Sequence, residues 1–323
     1  MNIPLYRPSR RTALALLGAA FAAPSVSFAG SVETHSGPAF GTYWQIMAPS
    51  GSGVARLVPD IQALFAKIDT ELSPWRGDSA ISRFNHGTAG THNPAVLKVT
   101  AAALDIARRS EGAFDPTVGP LVAQWGFGPV TQGGTPDWRA LSVGPGMLTK
   151  ARADLTLDLC GIAKGWALDS AAALARDAGF DSLLIDLGGE LYALGHHPDG
   201  RDWHVAIEAP SPMFASPAAL RLPAGAAVAT SGTRAQSYEL NGRIYSHIMD
   251  PATRAPAAGA LRSVTVVAAD AMTADGWATA LCAAGHRAGP DLATSQDIAA
   301  VFLIERDGGL RTVRTGQIAQ FIL

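Results

Sequence analysis

Oxygen donors suited to a hard cation stand four residues apart in "TADGWATALCAAG", residues 273–285. On a helix, Asp275 and Thr279 share one face. A carboxylate with a neutral hydroxyl suits Mg²⁺, which takes few protein ligands and completes its shell with water and phosphate oxygens. The same aspartate also suits a cap or dipole interaction at a helix start. A second set lies in "DLCGIAKGWALD", residues 158–169. Gly161 and Gly165 let a ligand approach the backbone, Lys164 adds a point charge, and the following helix offers unpaired N–H groups. Neither GxxxxGK[ST] nor GxGxxG is present, so the two common nucleotide fingerprints fail. A helix start with a solvated lysine is the alternative.

In "NGRIYSHIMDPAT", His247 and Asp250 sit beside a strand, and Pro251 forces a turn. A histidine there can take a proton from a hydroxyl nucleophile, a role typically worth about 10²–10⁴-fold in rate; a structural histidine is the alternative. "GAFDPTVGPLVAQWGFG" gathers aromatics, glycines and prolines around Asp115, which suits either a planar ligand or a packed turn. No Gly-x-Ser-x-Gly elbow and no histidine pair at zinc spacing occurs. "ATSGTRAQS" lacks the lysine pattern of serine acyl-enzymes. Cys160 and Cys282 are the only cysteines, which excludes a disulfide framework and a zinc cage, though the two could pair in an oxidising compartment.

These groups need elements to position them. "FGTYWQIMA" reads as an early strand, and "VARLVPDIQALFAKIDTELS" and "VTAAALDIARRSEGAF" as helices. Between the helices, "LSPWRGDSAISRFN" reads as a loop, and residues 126–152 read as a surface excursion. "DLTLDL" alternates and predicts a strand. "AKGWALDSAAALARDAG" predicts a helix ending at Gly179, and "SLLIDLGGELYALG" a buried strand with a glycine turn. "WHVAIEA", "AAVATSG", "SVTVVAA" and "DIAAVFLIER" add strands, with a helix over "TADGWATALCAAG". Helices and strands mix without regular alternation, which predicts an α+β fold: one domain, a mixed β-sheet sandwich with packed helices.

With 48% hydrophobic and 16% charged residues in 323, the chain is globular, and a formal charge of −2 gives no electrostatic case for nucleic acid. "RPSRRTALALLGAAFAAPSVSFAG" has a basic start, an apolar run over 13–23 and small residues before Gly30. That run is far shorter than the ~20 residues a membrane span needs. Residues 1–29 therefore read as a cleaved export signal, and "SRRTAL" points to the twin-arginine route. The mature chain, 30–323, would be periplasmic and without a membrane span.

Taken in order, "LSPWRGDSAISRFN", "GAFDPTVGPLVAQWGFG", "DLCGIAKGWALD", "IDLGGELYALG", "VATSG", "HIMDP" and "TADGWATAL" resemble the ApbE family of FAD:protein FMN transferases, over about residues 40–281. The resemblance implies a Mg²⁺-dependent periplasmic enzyme. It would split FAD, attach the FMN half to a threonine of a partner flavoprotein as a phosphoester, and release AMP. It implies nucleotide contacts from Asp158 and Lys164, and from Ala113, Phe114, Asp115 and Ile248. The metal ligands would be the Gly161 carbonyl, Asp275 and Thr279, and His247 would assist deprotonation of the acceptor. Phe40 and Trp75 stand where the family commonly has methionine and tyrosine, and both can pack near the rings. Arg254 and Cys160 stand where glycine is usual. The implied partners are membrane-associated respiratory or redox flavoproteins or, as for the related NosX proteins, the regulator of nitrous oxide reduction. An FAD carrier without transfer activity and an FAD pyrophosphatase giving FMN and AMP are the alternatives.

Overall fold

Alternating apolar strands build one eight-stranded sheet, whose spatial order is its chain order. The strands are β1 (Val32–Ala39), β2 (Thr42–Pro49), β3 (Leu183–Leu187), β4 (Glu190–Leu194), β5 (Ala227–Gly232), β6 (Leu261–Ala268), β7 (Ala299–Arg306) and β8 (Gly309–Thr315). This computed structural model describes residues 32–87, 90–210, 216, 218–234, 236–241 and 243–323; the export signal read over 1–29 lies outside them. The helices are α1 (Val58–Leu72), α2 (Ala80–His86), α3 (Pro94–Arg109), α4 (Gly119–Gln124), α5 (Ala163–Asp177) and α6 (Ala271–Ser295). Among the described residues, no helix is long and apolar enough to cross a membrane.

The period-2 pattern of the strands decides how the layers stack. Leu183, Ile185, Leu187, Val264, Val266, Phe302 and Ile304 point into the large core beneath the helices. Leu184, Val267, Val301 and Leu303 point the other way, under a small hairpin of Trp203–Ala206 and Ala219–Leu222. Both faces of the sheet are thus covered, and the α+β single domain with a sandwiched sheet is as expected.

The sheet differs from expectation in direction: every pairing in it is antiparallel, not mixed. A parallel pair needs a strand feeding a crossover helix, and the segment before α5 supplies none. "DLTLDL" alternates as a strand would, yet residues 155–159 join no sheet. Leu155, Leu157 and Leu159 are buried to 1% exposure or less. Asn85 serves as a substitute partner strand. Its Nδ2 donates to the Leu157 carbonyl at 2.9 Å, and its Oδ1 accepts from the Leu157 N–H at 2.7 Å. Lys150 donates to the Leu155 carbonyl at 2.9 Å, and the Asp158 N–H donates to the Pro116 carbonyl at 2.7 Å.

Asn85 itself is placed by a helix where the sequence predicts a loop. "SAISRFN" forms α2, whose cap Ser79 accepts from the Ser82 N–H at 3.0 Å. Residues 126–152 are also less peripheral than expected: they contain the hairpin Leu141–Gly144 and Met147–Lys150, with Leu141 and Leu148 buried. Replacing Asn85 by alanine strands a buried N–H and a buried C=O. We expect Asn85→Ala to cost about 2–4 kcal/mol, read as a lower urea midpoint with an unchanged slope. A change below about 0.5 kcal/mol would show that the segment holds itself.

Candidate active site

The site begins where α5 crosses α6. At Gly165 a side chain is impossible, because an added Cβ would lie 2.2 Å from the Ala271 carbonyl oxygen. The backbones therefore touch, and the Gly165 N–H donates to Asp275 Oδ2 at 2.9 Å. The crossing is fixed from the other side by Asp169 on α5. Its carboxylate accepts from the first N–H groups of α6, Ala271 at 2.7 Å and Met272 at 2.9 Å. Burial pushes the Asp169 carboxyl up to about 6, against the pull of those two N–H groups. Asp270, the cap of α6, accepts from the Thr273 N–H at 2.7 Å.

One turn beyond Asp275, Thr279 Oγ1 lies 3.2 Å from Ser231 Oγ at the end of β5. Gly161 packs directly on Thr279: an added Cβ would sit 2.9 Å from its methyl carbon and 3.3 Å from the Phe114 ring. A carboxylate, a hydroxyl and a peptide group from two separate segments thus converge. Asp275 is 3% exposed, and among the described residues its Oδ1 makes no hydrogen bond. Among the described residues, no group of three or more His, Cys, Asp or Glu side chains is placed to hold a metal ion. The donors that do converge are oxygens carrying one formal charge, a set that fits a hard cation keeping most of its shell for water and phosphate.

Lys164 supplies the positive charge. It forms an ion pair with Glu190, which is almost wholly buried at the start of β4. A two-residue turn, Gly188 and Gly189 with φ of 65° and 100°, sets Glu190 opposite Leu187; only glycine takes both angles without strain. Burial opposes the charge on Lys164, but the Glu190 and Asp275 carboxylates outweigh it and hold the ammonium above its ordinary range. Burial raises Glu190 and Asp275, with Lys164 opposing in both. Among the described residues, buried Glu190 Oε2 has no hydrogen-bond partner.

His247 closes another side. Its Nδ1 lies 3.2 Å from the Gln236 carbonyl oxygen, which can only accept. The neutral ring therefore carries its proton on Nδ1 and leaves the Nε2 lone pair free. Burial keeps the imidazole below its ordinary value of 6.5; Lys164 adds to this, while the Gln236 carbonyl and Asp158 oppose it. Phe127 meets the ring edge-on at 6.4 Å, at the end of an aromatic stack through Tyr238 and Tyr245 to Trp125.

The residues expected at the site fall into two groups. Asp158, Gly161, Lys164, Phe114, His247, Asp275 and Thr279 are linked by the contacts and charges above, with Asp158 also accepting from the Cys160 N–H at 2.9 Å. Asp115 shapes the adjoining turn, accepting from both the N–H and the hydroxyl of Thr117 at 2.8 and 2.5 Å, while Ala113 precedes Phe114 in that turn. Ile248 is buried and accepts from the Ala257 N–H at 2.8 Å. Phe40 packs edge-on against Phe65 at 5.5 Å, and Trp75 is 66% exposed, so neither is tied into the cluster. Arg254 has φ of 58°, a left-handed geometry that glycine takes freely. The cysteines do not pair: Cys282 is buried in α6, and Cys160 is exposed beside the site. Glu190, Asp169 and Ser231 were missed. For Glu190 the available signal was an acidic side chain between two buried strands, which demands a partner.

The ApbE family model matches residues 40–302. A protein of Klebsiella pneumoniae called FAD:protein FMN transferase is 32% identical over 346 residues, covering 100% of this chain and 99% of its own. A Vibrio cholerae protein of the same name is 34% identical, covering 89% of this chain and 92% of its own. The solved flavin transferase ApbE from Vibrio cholerae superposes with a TM-score of 0.80 at 31% identity, over 90% of this chain and 99% of that one. The apo flavinyl transferase ApbE of Pseudomonas stutzeri gives 0.81 at 34% identity, over 90% and 96%. This chain, with its α5–α6 crossing inside the matched span, belongs to the ApbE family.

Proposed function

We propose that this chain transfers the FMN half of FAD to a threonine hydroxyl of a partner flavoprotein, with Mg²⁺, and releases AMP. The observation that carries the reading is the convergence of Asp275, Thr279 and Gly161 beside Lys164, locked by the Gly165 N–H; the names of the relatives support it. Asp275 Oδ1, Thr279 Oγ1 and the Gly161 carbonyl would hold the cation. When bound, it would stabilise charge on the pyrophosphate and its leaving group.

Lys164 would face the phosphates, kept charged and in place by Glu190. Phe114 would pack on the nucleotide, with Asp158, Asp115 and Ile248 shaping the walls and Phe40 and Trp75 meeting the rings from outside. The acceptor oxygen attacks the FMN phosphorus while the bond to the AMP phosphate breaks. The hydroxyl proton passes to His247 Nε2, which is free for it in the neutral ring. Catalysis here is positioning and charge stabilisation. The periplasmic location rests on residues 1–29, whose paired arginines suit twin-arginine export. Arg10→Lys with Arg11→Lys should keep the chain in the cytoplasm; unchanged export would overturn that part.

The decisive assay incubates the protein with FAD, Mg²⁺ and a candidate acceptor domain. Covalent flavin on the acceptor with release of AMP is the expected result. Free FMN and AMP would indicate a pyrophosphatase, and neither product a carrier. Asp275→Ala should lower transfer by about 10²-fold or more; full activity would remove the metal assignment. Run against pH, the native enzyme should lose rate on the acid side below 6.5, because burial delays protonation of His247. His247→Ala should slow transfer and shift that limb; a limb above 6.5 that the substitution leaves in place contradicts the role.

A further inference from the structure

Outside the site, the β7–β8 edge of the sheet carries charged residues on its helix-facing side. On the helix-facing side of β7 and β8, Phe302 and Ile304 are buried in the core. Two residues further on β7 the same face carries Arg306, and opposite Ile304 on β8 stands Arg311. Directly paired residues share a face, so two arginines occupy the side on which core residues are expected. They line a cleft of about 500 Å³ with Arg287 and His286, within the 300–1,000 Å³ typical of small-ligand pockets.

The far wall is shaped by a break in α6. At Gly285 the backbone leaves helical geometry (φ 77°, ψ −175°), and His286 and Arg287 follow at the restart. The charge balance of the cleft is one-sided. Its single carboxylate, Glu305, is matched by Arg262 at 2.6 Å. Among the described residues Arg306 pairs only with the exposed Asp307 at 3.4 Å, a contact worth little. Arg287 and Arg311 have no acidic partner among the described residues. In a chain of formal charge −2, an arginine-lined cleft over an apolar floor has no structural necessity.

We propose that this cleft binds a phosphate-bearing ligand, its phosphate held by Arg287 and Arg311 and its apolar body lying on Ile304. Guanidinium groups present paired N–H donors that match phosphate oxygens. The ends of β5, β6, β7 and β8 share one rim of the sheet, set by the pairs Gly232–Ser263, Leu261–Ile304 and Arg306–Gly309. The cleft therefore opens on the same rim as Ser231 and Thr279 without sharing a residue with that site. It stands independently of the transferase reading.

A soluble organophosphate and a phospholipid headgroup offer the same chemistry, so the experiment has two arms. The full chain is titrated calorimetrically with AMP and, separately, sedimented with phosphatidylglycerol vesicles against phosphatidylcholine vesicles. Saturable binding in either arm is expected, weakened about tenfold or more in the Arg287→Ala/Arg311→Ala variant, a factor of about 1.4 kcal/mol. The arm that binds names the source. Arg311→Gln alone, at an exposed position, should show a smaller loss and covers the case of a misfolded double variant. Transfer activity should be unchanged in both. The proposal is overturned if neither probe binds, if the arginine variants bind as the native chain does, or if Lys164→Ala removes the AMP binding instead.

Discussion

The crossing of α5 on α6 is the constraint from which the rest of the site follows. Because residue 165 has no side chain, the two helices approach until one donates a backbone N–H to a carboxylate on the other, Gly165 to Asp275 at 2.9 Å. That bond joins the lysine loop to the helix face carrying Asp275 and Thr279. Asp169 reinforces it by capping α6 from α5. A larger residue at 165 would collide with backbone rather than with a movable side chain, so the gap would open by shifting whole helices. The motifs are coupled by packing even though 110 residues separate them in the chain.

Electrostatics adds a second level. Burying one lysine against two carboxylates leaves a cluster whose charges depend on one another. Glu190 neutralises Lys164 and, among the described residues, has an oxygen without a partner, while Asp275 has one oxygen bound to the Gly165 N–H. Such a cluster would gain from a ligand bringing both anionic phosphates and a cation, as the proposed function requires. Preorganised charge of this kind is the largest single term in most enzymatic rate enhancements.

Much of this was legible in the sequence. The order of motifs pointed to the family, the i, i+4 spacing put Asp275 and Thr279 on one face, and the strand alternation gave the layers. What escaped lies in contacts that no local pattern encodes. The "DLTLDL" segment alternates as a half-buried strand would, but Thr156 and Asp158 are buried along with its leucines, and the Leu157 backbone bonds go to Asn85, 72 residues away. Helix α2 is only seven residues long and follows Pro74 and Gly77, so its start is masked by turn residues. Glu190 reads as part of a hairpin until the fold brings Lys164 beside it.

The central claim is that the lysine loop and the α6 face form one site holding a cation against a pyrophosphate. Phosphorus NMR of FAD bound to the protein, with Mn²⁺ replacing Mg²⁺ and no acceptor present, tests it most directly. The account predicts strong paramagnetic broadening of both pyrophosphate resonances, abolished in Thr279→Val while FAD remains bound. Bound FAD whose phosphorus signals are untouched by Mn²⁺ would contradict it.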